Sequence, residues 1–315
     1  MNLRQAKYMV TIYKEGQISL AAKKLFISQS ALSQIVQNIE KEFGTRLFKR
    51  TTPITLTSAG TIYIKTVQKM LMLEEGMERE MEEITVECSG TLRIGFPTTY
   101  AKIFLPTLFP LYRKSFPNVN LEIIRDGSAS MPGHINAGDV DMAFMASNNA
   151  APEELHSIVL RTEKILLFAA PTTKLARRIK SHTPIKIMEA KDEEFVTLNP
   201  GHGLRALQDN IFADKGISPK ILINVDDCLL AVQLAAKSNA VVLFPDTFLN
   251  SELENSPLFP YYPLEDERYL RKYYLCWSKD LYVPNYMYGF IELVKSIFPE
   301  NNEYTPQNKK PNNLI

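Results

Sequence analysis

The sequence predicts a multidomain α+β protein made of a small helical N-terminal domain, a long linker helix and a larger α/β domain. Three observations predict it. Residues 1–58 show three short helix patterns followed by two short strands, residues 59–88 follow a helical period without proline, and strand and helix patterns alternate after residue 90. The length of 315 residues fits about two globular domains joined by a linker.

Composition excludes several classes of protein. Hydrophobic residues make up 45% of the chain and charged residues 23%, which argues against disordered, collagen-like or low-complexity proteins. Three cysteines without a Cys-x-x-Cys pair cannot build a disulfide framework. We see neither an N-terminal signal segment nor an apolar run of roughly 18 residues, so we expect a cytoplasmic protein with no membrane partner.

The charge is distributed unevenly. Residues 1–60 contain nine Lys or Arg against three Glu, a net charge of +6, while the remainder of the chain carries −5. A basic N-terminal domain on a mildly acidic body suggests that the N-terminal domain meets a polyanion.

Capping residues delimit three helices in the N-terminal domain. The first helix is expected to end at Gly16, and Ser19 is expected to cap the second. Ser28 is a good N-cap for a third helix, which should run to about Phe43 and stop at Gly44.

The third helix has an apolar face and an opposite face that is polar but uncharged. Amides can pair bidentately with adenine, and small side chains allow close approach to base edges and thymine methyl groups. The alternative is a solvated polar face on a small helical domain. The residues of this face expected to read DNA sequence are Gln29, Ser30, Ala31, Ser33, Gln34 and Gln37.

Two short strands with basic residues follow the third helix. Residues 47–50 and 54–56, joined by a turn, predict a wing that places Lys49 and Arg50 beside the helix. Basic residues in this position suit contact with DNA phosphates, which position a protein without reading sequence. The wing and the two preceding helices favour DNA recognition over a polar helix face that only contacts solvent.

The predicted linker helix carries a heptad pattern. An exposed helix of this length between two globular parts is typical of a dimerisation helix, so we expect a homodimer; the alternative is a helix packed on its own domain. Gly76 weakens its middle by about 1 kcal/mol relative to alanine. The seam comprises Tyr63, Val67, Met70, Glu74, Met77, Met81 and Ile84.

Beyond the linker the patterns predict an α/β body with a mostly parallel sheet. Residues 299–315, rich in Asn, Pro and Lys, predict a disordered tail. The predicted strands are 91–96, 119–124, 141–145, 165–169, 221–225, 241–243 and 273–277, and the predicted helices are 103–112, 229–236 and 286–297.

Taken together in this order, motifs along residues 1–298 resemble the LysR-type transcriptional regulators. In the N-terminal domain they are Ala21-Ala22, Leu25, Ile27-Ser28-Gln29-Ser30-Ala31-Leu32-Ser33, Glu40, Leu47-Phe48-Lys49-Arg50, Leu56-Thr57 and Ala59-Gly60. In the body they are Leu92-Arg93-Ile94-Gly95, Phe116-Pro117-Asn118-Val119, Gly138-Asp139-Val140-Asp141, Pro200-Gly201-His202-Gly203-Leu204-Arg205 and Leu243-Phe244-Pro245.

The resemblance implies an architecture and partners. It implies a winged helix-turn-helix at 1–58, a dimerisation helix at 59–88 and an effector-binding domain at 89–298 like the type 2 periplasmic binding proteins. That domain would have lobe I (90–162 plus 268–298) and lobe II (163–267), with crossings near Thr162 and Glu267. The implied partners are double-stranded promoter DNA, a small-molecule effector, further copies in a homotetramer, and RNA polymerase.

The sequence departs from the family pattern at three places. The family usually has proline where Ser30 stands and often a basic residue where Gln34 stands. Residues 238–240, Ser-Asn-Ala, replace the usual glycines of the turn before the Leu-Phe-Pro motif. The first two changes bear on DNA contact, and the third bears on the edge of the second lobe's cleft.

An effector site is expected where strand ends and helix N-termini converge, because free backbone N–H groups there bind anions. We therefore expect an effector with a carboxylate or other anionic group. Each candidate could instead be a helix cap or a turn residue. The Asp pair would favour a ligand with an amine or guanidinium beside its acid group. The candidates are Thr98, Thr99, His202 and Gly203, with Asp226, Asp227 and Phe244 carried over by the resemblance.

No enzyme motif is present in the sequence. It contains no metalloprotease, phosphate-binding-loop or nucleophile-elbow pattern, and its four histidines are isolated, so we expect no catalytic residues, metal or cofactor. Cys228 beside Asp227 should be a buried, unreactive thiol. The sequence thus predicts an effector-responsive DNA-binding transcription regulator, and the alternative is a solute-binding protein with no DNA role.

Overall fold

The computed structural model describes residues 2–85, 89–249, 258–266 and 268–298. Its N-terminal part, residues 2–57, which we call the head, combines three helices with a small hairpin. The head elements are α1 (Leu3–Glu15), α2 (Ile18–Lys24), α3 (Gln29–Phe43), β1 (Phe48–Lys49) and β2 (Thr55–Leu56). Apolar side chains from all three helices form its core, including Met9, Ile12, Ala21, Leu32, Val36 and Ile39.

Local capping sets the ends of α1 and α3, as predicted. Gly16 and Gly44 close these helices with left-handed φ angles of 65° and 67°. The Oγ of Ser28 accepts a hydrogen bond from the N–H of Ala31 at 3.1 Å, which satisfies one of the free donors at the start of α3. These three predictions are confirmed.

The predicted cap of the second helix is wrong. α2 begins at Ile18, its N-cap is Gln17, and Ser19 lies inside the helix. The left-handed turn at Gly16 redirects the chain so sharply that one extended residue, Gln17, is enough to lead into α2.

The wing is tied tightly to α3 and to the start of the linker. The Oε1 of Glu40 accepts hydrogen bonds from the N–H groups of Leu47 (2.8 Å) and Phe48 (3.2 Å). The Oγ1 of Thr57 donates to the Arg46 carbonyl at 2.7 Å and accepts from the Gly60 N–H at 2.9 Å. A Cβ at Gly60 would lie 1.9 Å from the Leu47 carbonyl oxygen, so only glycine fits this corner.

The linker helix α4 runs from Ser58 to Thr85 and packs along both the head and the body. At its start Tyr63, Ile64 and Val67 are buried in the head core. Further along, Arg79 is only 8% exposed and its Nη2 donates to the Oδ1 of Asp141 at 2.8 Å and to Glu75 at 2.9 Å.

Asp141 also holds the first strand of the body. Its Oδ2 accepts from the backbone N–H of Arg93 at 2.7 Å, and its Oδ1 accepts from the guanidinium of Arg93 at 3.0 Å. Burial opposes ionisation of Glu75, but the hydrogen bond and charge of Arg93 and the charge of Arg79 lower the pKa of this carboxyl. We call Glu75, Arg79, Arg93 and Asp141 the linker clamp.

The predicted heptad seam is wrong at its amino end. Tyr63 and Val67 point into the head core, so they are closed to a partner, and Ile84 lies outside the residues whose side chains are described. The expectation of a lone exposed helix is also wrong, because the clamp fixes α4 on the body. The apolar face that α4 leaves exposed consists of Ile62, Met70, Leu73, Met77 and Met81.

The head also contacts the body directly. The Nζ of Lys14 in α1 pairs with Asp139. The Nδ1 of His134 lies 3.2 Å from the Oδ2 of Asp139, and its Nε2 lies 2.9 Å from the Oδ2 of Asp126. Burial opposes protonation of His134, but the two carboxylates outweigh it and raise the pKa of the imidazole.

The body contains one large mixed sheet flanked by helices. Its elements are β3 (Gly90–Pro97), α5 (Thr98–Ser115), β4 (Val119–Asp126), α6 (Met131–Asn136), β5 (Met142–Ser147), β6 (Leu155–Ala169), α7 (Lys174–Arg178), β7 (Glu194–Leu198), α8 (Gly203–Asp214), β8 (Lys220–Val225), α9 (Cys228–Lys237), β9 (Val241–Pro245), β10 (Tyr261–Pro263), β11 (Leu270–Ser278) and α10 (Asn285–Ile297). Two short 3₁₀ helices lie among these elements, Ile187–Ala190 before β7 and Asp246–Phe248 directly after β9.

The strand order is β4-β3-β5-β11-β6-β9-β7-β8, with β10 paired to β6. β3 runs parallel to β4 and β5, and β7 runs parallel to β8 and β9. The central strands are antiparallel, since β11 pairs in that sense with both β5 and β6, and β6 pairs likewise with β9 and β10. The prediction of a mostly parallel sheet is therefore wrong. The two parallel halves of the sheet are joined by the long strands β6 and β11, which pair with their neighbours in the antiparallel sense.

One of these connecting strands, β6, joins the two halves of the sheet. β6 pairs with β11 up to Lys164 and with β9 from Ile165 onward. The change of partner follows shortly after Thr162, where we predicted a crossing. The second predicted crossing, Glu267, and the predicted tail 299–315 lie outside the described residues.

Candidate functional site

The outward face of α3 presents the predicted DNA-reading residues to solvent. Leu32, Val36 and Ile39 on the opposite side are buried, which fixes the rotation of the helix about its axis. Ser33 is half-buried at the edge of the exposed surface. The exposed members of the predicted set are Gln29, Ser30, Ala31, Gln34 and Gln37.

Two side-chain hydrogen bonds organise this face. The hydroxyls of Ser28 and Ser30 lie 3.1 Å apart, and the Nε2 of Gln34 donates to the Oδ1 of Asn38 at 3.0 Å. The side-chain oxygen of Gln34 and the side-chain nitrogen of Asn38 take no part in this second bond, so they remain for contact with a base. Asn38 was missed at the sequence level, although its position one turn after Gln34 was the available signal.

Exposed cations surround α3. Lys49 and Arg50 extend from the wing and are exposed, as are Arg46 before it and Lys23 in α2. Lys24 differs, because its Nζ pairs with Glu15 at 2.6 Å. A polar helix face flanked by exposed cations has the chemistry to read base edges while contacting phosphates.

In the body, the start of α5 meets the start of α9. The Oδ2 of Asp227 accepts from the Oγ1 of Thr99 at 3.3 Å and from the Nζ of Lys102 at 2.9 Å. Asp227 also caps α9, since its Oδ1 accepts from the Leu230 N–H at 2.9 Å. Burial would raise the pKa of Asp227, but the hydrogen bonds from Lys102, Leu230 and Thr99 lower it. We call Thr99, Lys102 and Asp227 the interlobe bridge.

The start of α8 contributes His202 and Gly203. The Nδ1 of His202 accepts from the Leu204 N–H at 3.2 Å, so this histidine caps α8, and Gly203 is the first helical residue. Burial lowers the pKa of His202, and the charge of Arg271 lowers it further. Both effects favour the neutral imidazole, the form in which Nδ1 can accept the hydrogen bond from Leu204.

The structure does not bring together all the predicted effector residues. Thr98 and Asp226 are exposed beside the interlobe bridge, and no hydrogen bond to either side chain is seen within the described chain. Phe244 is fully buried, with its ring in edge contact with Phe259, so it belongs to the core of the second lobe. Asp227 is already paired with Lys102, which removes the reason to expect an amine or guanidinium on the ligand.

A buried polar cluster at the crossing was missed at the sequence level. Glu163 is completely buried, and its carboxylate accepts from the Oη of Tyr100 at 2.7 Å and from the Oγ1 of Thr247 at 2.6 Å. The guanidinium of Arg271 lies 3.9 Å away. Burial raises the pKa of Glu163, although the charge of Arg271 opposes the shift. Both strands contain further charged residues, Arg161 and Lys164 in β6 and Lys272 in β11, so no sequence signal singled out Glu163 and Arg271.

Cys228 lies beside this cluster and is buried, and burial raises the pKa of its thiol. The prediction of a buried thiol of low reactivity is consistent with this position. A separate cavity of about 550 Å³ lies on the second-lobe side of the crossing, lined by Lys186, Met188, Lys215 and Tyr269 among others. None of the predicted effector residues lines that cavity.

Two family descriptions match this chain in the order of its parts. "Bacterial regulatory helix-turn-helix protein, lysR family" matches residues 3–61, and "LysR substrate binding domain" matches residues 87–299. The chain belongs to the LysR family. The LysR-type regulator predicted from the sequence is thereby confirmed, as is its combination of an N-terminal helix-turn-helix with an α/β effector-binding domain.

Relatives and solved structures span nearly the whole chain. BenM, a transcriptional regulator of Acinetobacter baylyi, is 26% identical over 311 residues, covering 98% of this chain and 100% of its own. Full-length BenM has a TM-score of 0.55 at 25% identity, covering 95% of this chain and 97% of its own. A full-length OxyR from Pseudomonas aeruginosa shares the fold, with a TM-score of 0.71 at 18% identity, covering 97% of this chain and 99% of its own.

This LysR-family protein is thus a transcription regulator with a DNA-binding head, and the alternative of a solute-binding protein without a DNA role is set aside. Within the part of the chain that the structure describes, no helix is both long and apolar enough to cross a membrane. The same residues hold no group of three or more His, Cys, Asp or Glu side chains placed to bind a metal ion.

Proposed function

We propose that this regulator binds promoter DNA through the outer face of α3 and alters that binding when a small anionic effector enters between the lobes. The observation that carries the proposal is the interlobe bridge. Thr99 and Lys102 at the start of α5 bind the N-cap of α9 in the other lobe. A ligand that enters between the lobes replaces some contacts of this bridge. It therefore binds two arrangements of the lobes with different affinities and shifts the equilibrium between them.

The DNA-binding part of the proposal assigns two roles. The side chains Gln29, Ser30, Ala31, Ser33, Gln34 and Gln37 read base edges in the major groove. Lys49 and Arg50 bind phosphates from the wing. The exposure of these groups on one side of the head supports this assignment, as does the solved complex of CbnR, a LysR-family regulator, with its target DNA.

The effector part assigns contact to the residues around the bridge. Thr99, His202 and Gly203 lie at helix N-termini, where N–H groups and the helix dipole favour an anion. Thr98 and Asp226 lie at the exposed rim. The lobe bounds proposed for the body are 90–162 plus 268–298 and 163–267.

We propose a second copy of this chain as the partner of α4. Ile62, Leu73 and Met77 are 70%, 60% and 56% exposed on one side of the helix, and such an apolar stripe is stabilised by pairing. The edge strand β8 exposes Ile221 and Ile223, which offers a further contact between copies. Two such contacts allow a homodimer to assemble into a homotetramer, which could then present a surface to RNA polymerase.

Because its partner is promoter DNA, we place the protein in the cytoplasm and assign it no catalytic role. The test is fluorescence anisotropy of the purified chain on the DNA upstream of its own gene, against a scrambled fragment, at several salt concentrations. We expect preference for the native fragment and an affinity that falls with salt. The absence of binding to both fragments at low salt contradicts the DNA-binding role.

A further inference from the structure

Phe26, in the turn between α2 and α3, combines an exposed apolar ring with a left-handed backbone. It is 95% exposed, and its φ angle is 54°. In the described part of the head, Leu25 and Ile27 pack against the core, whereas Phe26 does not. Single exposed apolar residues are common on folded proteins, but a residue with a Cβ is also strained in the left-handed region. No packing within the described head offsets that strain.

The turn explains the backbone of Phe26 but not its side chain. The N–H of Phe26 donates to the Lys23 carbonyl at 3.3 Å, and the N–H of Ile27 donates to the Ala22 carbonyl at 3.1 Å. These two hydrogen bonds end α2 in a Schellman motif, in which the left-handed position is usually a glycine. Glycine adopts this conformation without strain. The fold therefore requires the turn at this position but not a phenyl ring.

Phe26 lies next to the proposed DNA-binding face. It precedes Ser28, the N-cap of α3, by two residues, and Gln29, the first residue of that helix, by three. Lys23, whose carbonyl accepts from the Phe26 N–H, is exposed one turn earlier. An exposed cation beside the start of a reading helix suits contact with DNA phosphates. The apolar surface closest to those phosphates belongs to the deoxyribose rings that they join.

We propose that Phe26 is a DNA-contacting residue whose ring packs against deoxyribose rings of the DNA backbone beside the start of α3. This inference rests on the proposed function, since it requires α3 to lie in the major groove. Burial of the ring in the complex is favourable, which gives the strained residue a stabilising contact that the free head lacks. An uncharged contact with the backbone strengthens binding to any sequence and releases no counterions.

Three substitutions separate the ring from the turn, and all should fold because the ring is exposed. Phe26→Ala removes the ring but keeps a Cβ, so it should weaken binding to native and scrambled DNA about tenfold each, with an unchanged salt slope. Phe26→Gly should weaken binding similarly and yet raise the melting temperature of the head by a few degrees, because it relieves the strained backbone. Phe26→Tyr keeps the ring and should bind DNA as the unmodified chain does.

The measurements are anisotropy on both DNA fragments at several salt concentrations and differential scanning calorimetry of the full chain. His182→Gly is the matched control, because His182 also has a left-handed φ, of 70°, but lies in lobe II. Relief of strain at that distant position should leave the DNA affinity unchanged.

Phe26→Trp tests the contact directly. The chain has one tryptophan, Trp277, which is buried, so acrylamide quenches mainly the fluorophore added at position 26. We expect efficient quenching in the free protein and quenching several times weaker in the complex with DNA. Sedimentation velocity of Phe26→Ala should show the same assembly as the unmodified chain.

The inference is overturned if Phe26→Ala binds DNA with unchanged affinity, if only Phe26→Gly weakens binding, or if the added tryptophan stays equally accessible in the complex. A loss confined to the native fragment overturns it too, because it indicates a contact with bases. If Phe26→Ala forms smaller assemblies, a second copy of the chain covers the ring instead of DNA.

Failure of the proposed function looks different from failure of this inference. If the unmodified chain binds neither fragment at low salt, the DNA-binding role fails and the inference fails with it. If the unmodified chain binds DNA, Gln29→Ala weakens that binding and Phe26→Ala does not, only the inference is overturned.

Discussion

The contact between Gly60 and Leu47 makes the substitution Gly60→Ala informative. The added Cβ would lie 1.9 Å from the Leu47 carbonyl oxygen, whereas real Cβ atoms essentially never approach closer than 3.0 Å. The carbonyl must therefore move by about 1 Å or more. That shift disrupts the hydrogen bond that the Thr57 N–H donates to this carbonyl at 3.0 Å.

The expected cost follows from these contacts. Each lost hydrogen bond contributes about 0.5–1.5 kcal/mol, and overpacking adds about 1–3 kcal/mol. With one hydrogen bond lost, we expect the free energy of unfolding of the head to fall by about 1.5–4.5 kcal/mol. Because Leu47 begins the wing, the phosphate contacts of Lys49 and Arg50 should weaken too, which lowers the salt dependence of DNA binding.

The assay is differential scanning calorimetry of the full chain together with anisotropy on promoter DNA at several salt concentrations. Gly133→Ala is the matched control, since no atom lies within 4 Å of its new Cβ and alanine favours a helix by about 0.5–1 kcal/mol. If Gly60→Ala unfolds like the control and keeps the original salt dependence, the close contact is not structurally required.

Four further outcomes are expected. Lys49→Ala should weaken binding to native and scrambled DNA by a similar factor and reduce the salt slope by about 1, as seen by anisotropy; a selective loss on native DNA would contradict a phosphate role. Thr99→Val should blunt the effector response while basal DNA binding stays within a few fold, and a large basal loss would indicate a structural role. Tyr273→Phe removes a buried hydroxyl without a hydrogen-bond partner among the described residues, and should raise the melting temperature of the body by a few degrees; an unchanged or lower melting temperature refutes this. Because the pKa of His134 is raised in the folded state, the ion pairs of its protonated ring stabilise the protein fully below the unfolded-state pKa, and this stability is lost as the pH rises through the folded-state pKa. In the His134→Gln variant the melting temperature should therefore depend less on pH between about pH 5 and 8. An unchanged pH dependence would show that His134 is not its cause.

Local signals made the head predictable. Ser28, Gly44 and the polar face of α3 depend on residues a few positions apart, so their pattern determines the helix and its exposed surface. Ser19 shows the limit of such signals, because a good capping residue was displaced by the geometry of the preceding turn.

The body was predictable in class but not in its contacts. Thr99 was singled out because it begins a helix and Asp227 because the resemblance carried it over, yet Lys102, one turn along α5, could not be paired with Asp227 across 125 positions of sequence. Arg271 and Glu163 are 108 residues apart and meet only because β11 pairs with β6. The docking of α4 likewise depends on Arg79 reaching Asp141, a contact that periodicity within α4 cannot reveal.

The linker clamp has a mechanical consequence. Because Arg79 ties α4 to lobe I, and α4 begins in the head core, the head, the linker and lobe I form one stiff arm. From Arg79 back to Ser58 the helix rises about 32 Å, so a tilt of about 5° at lobe I displaces the head by about 3 Å. Lobe II is outside this arm, so under the proposed function its motion upon ligand entry would reach DNA through the contact between lobe II and a second copy. In the assembly proposed above, the spacing between two heads would then be set by lobe II rather than by the arm that carries the head.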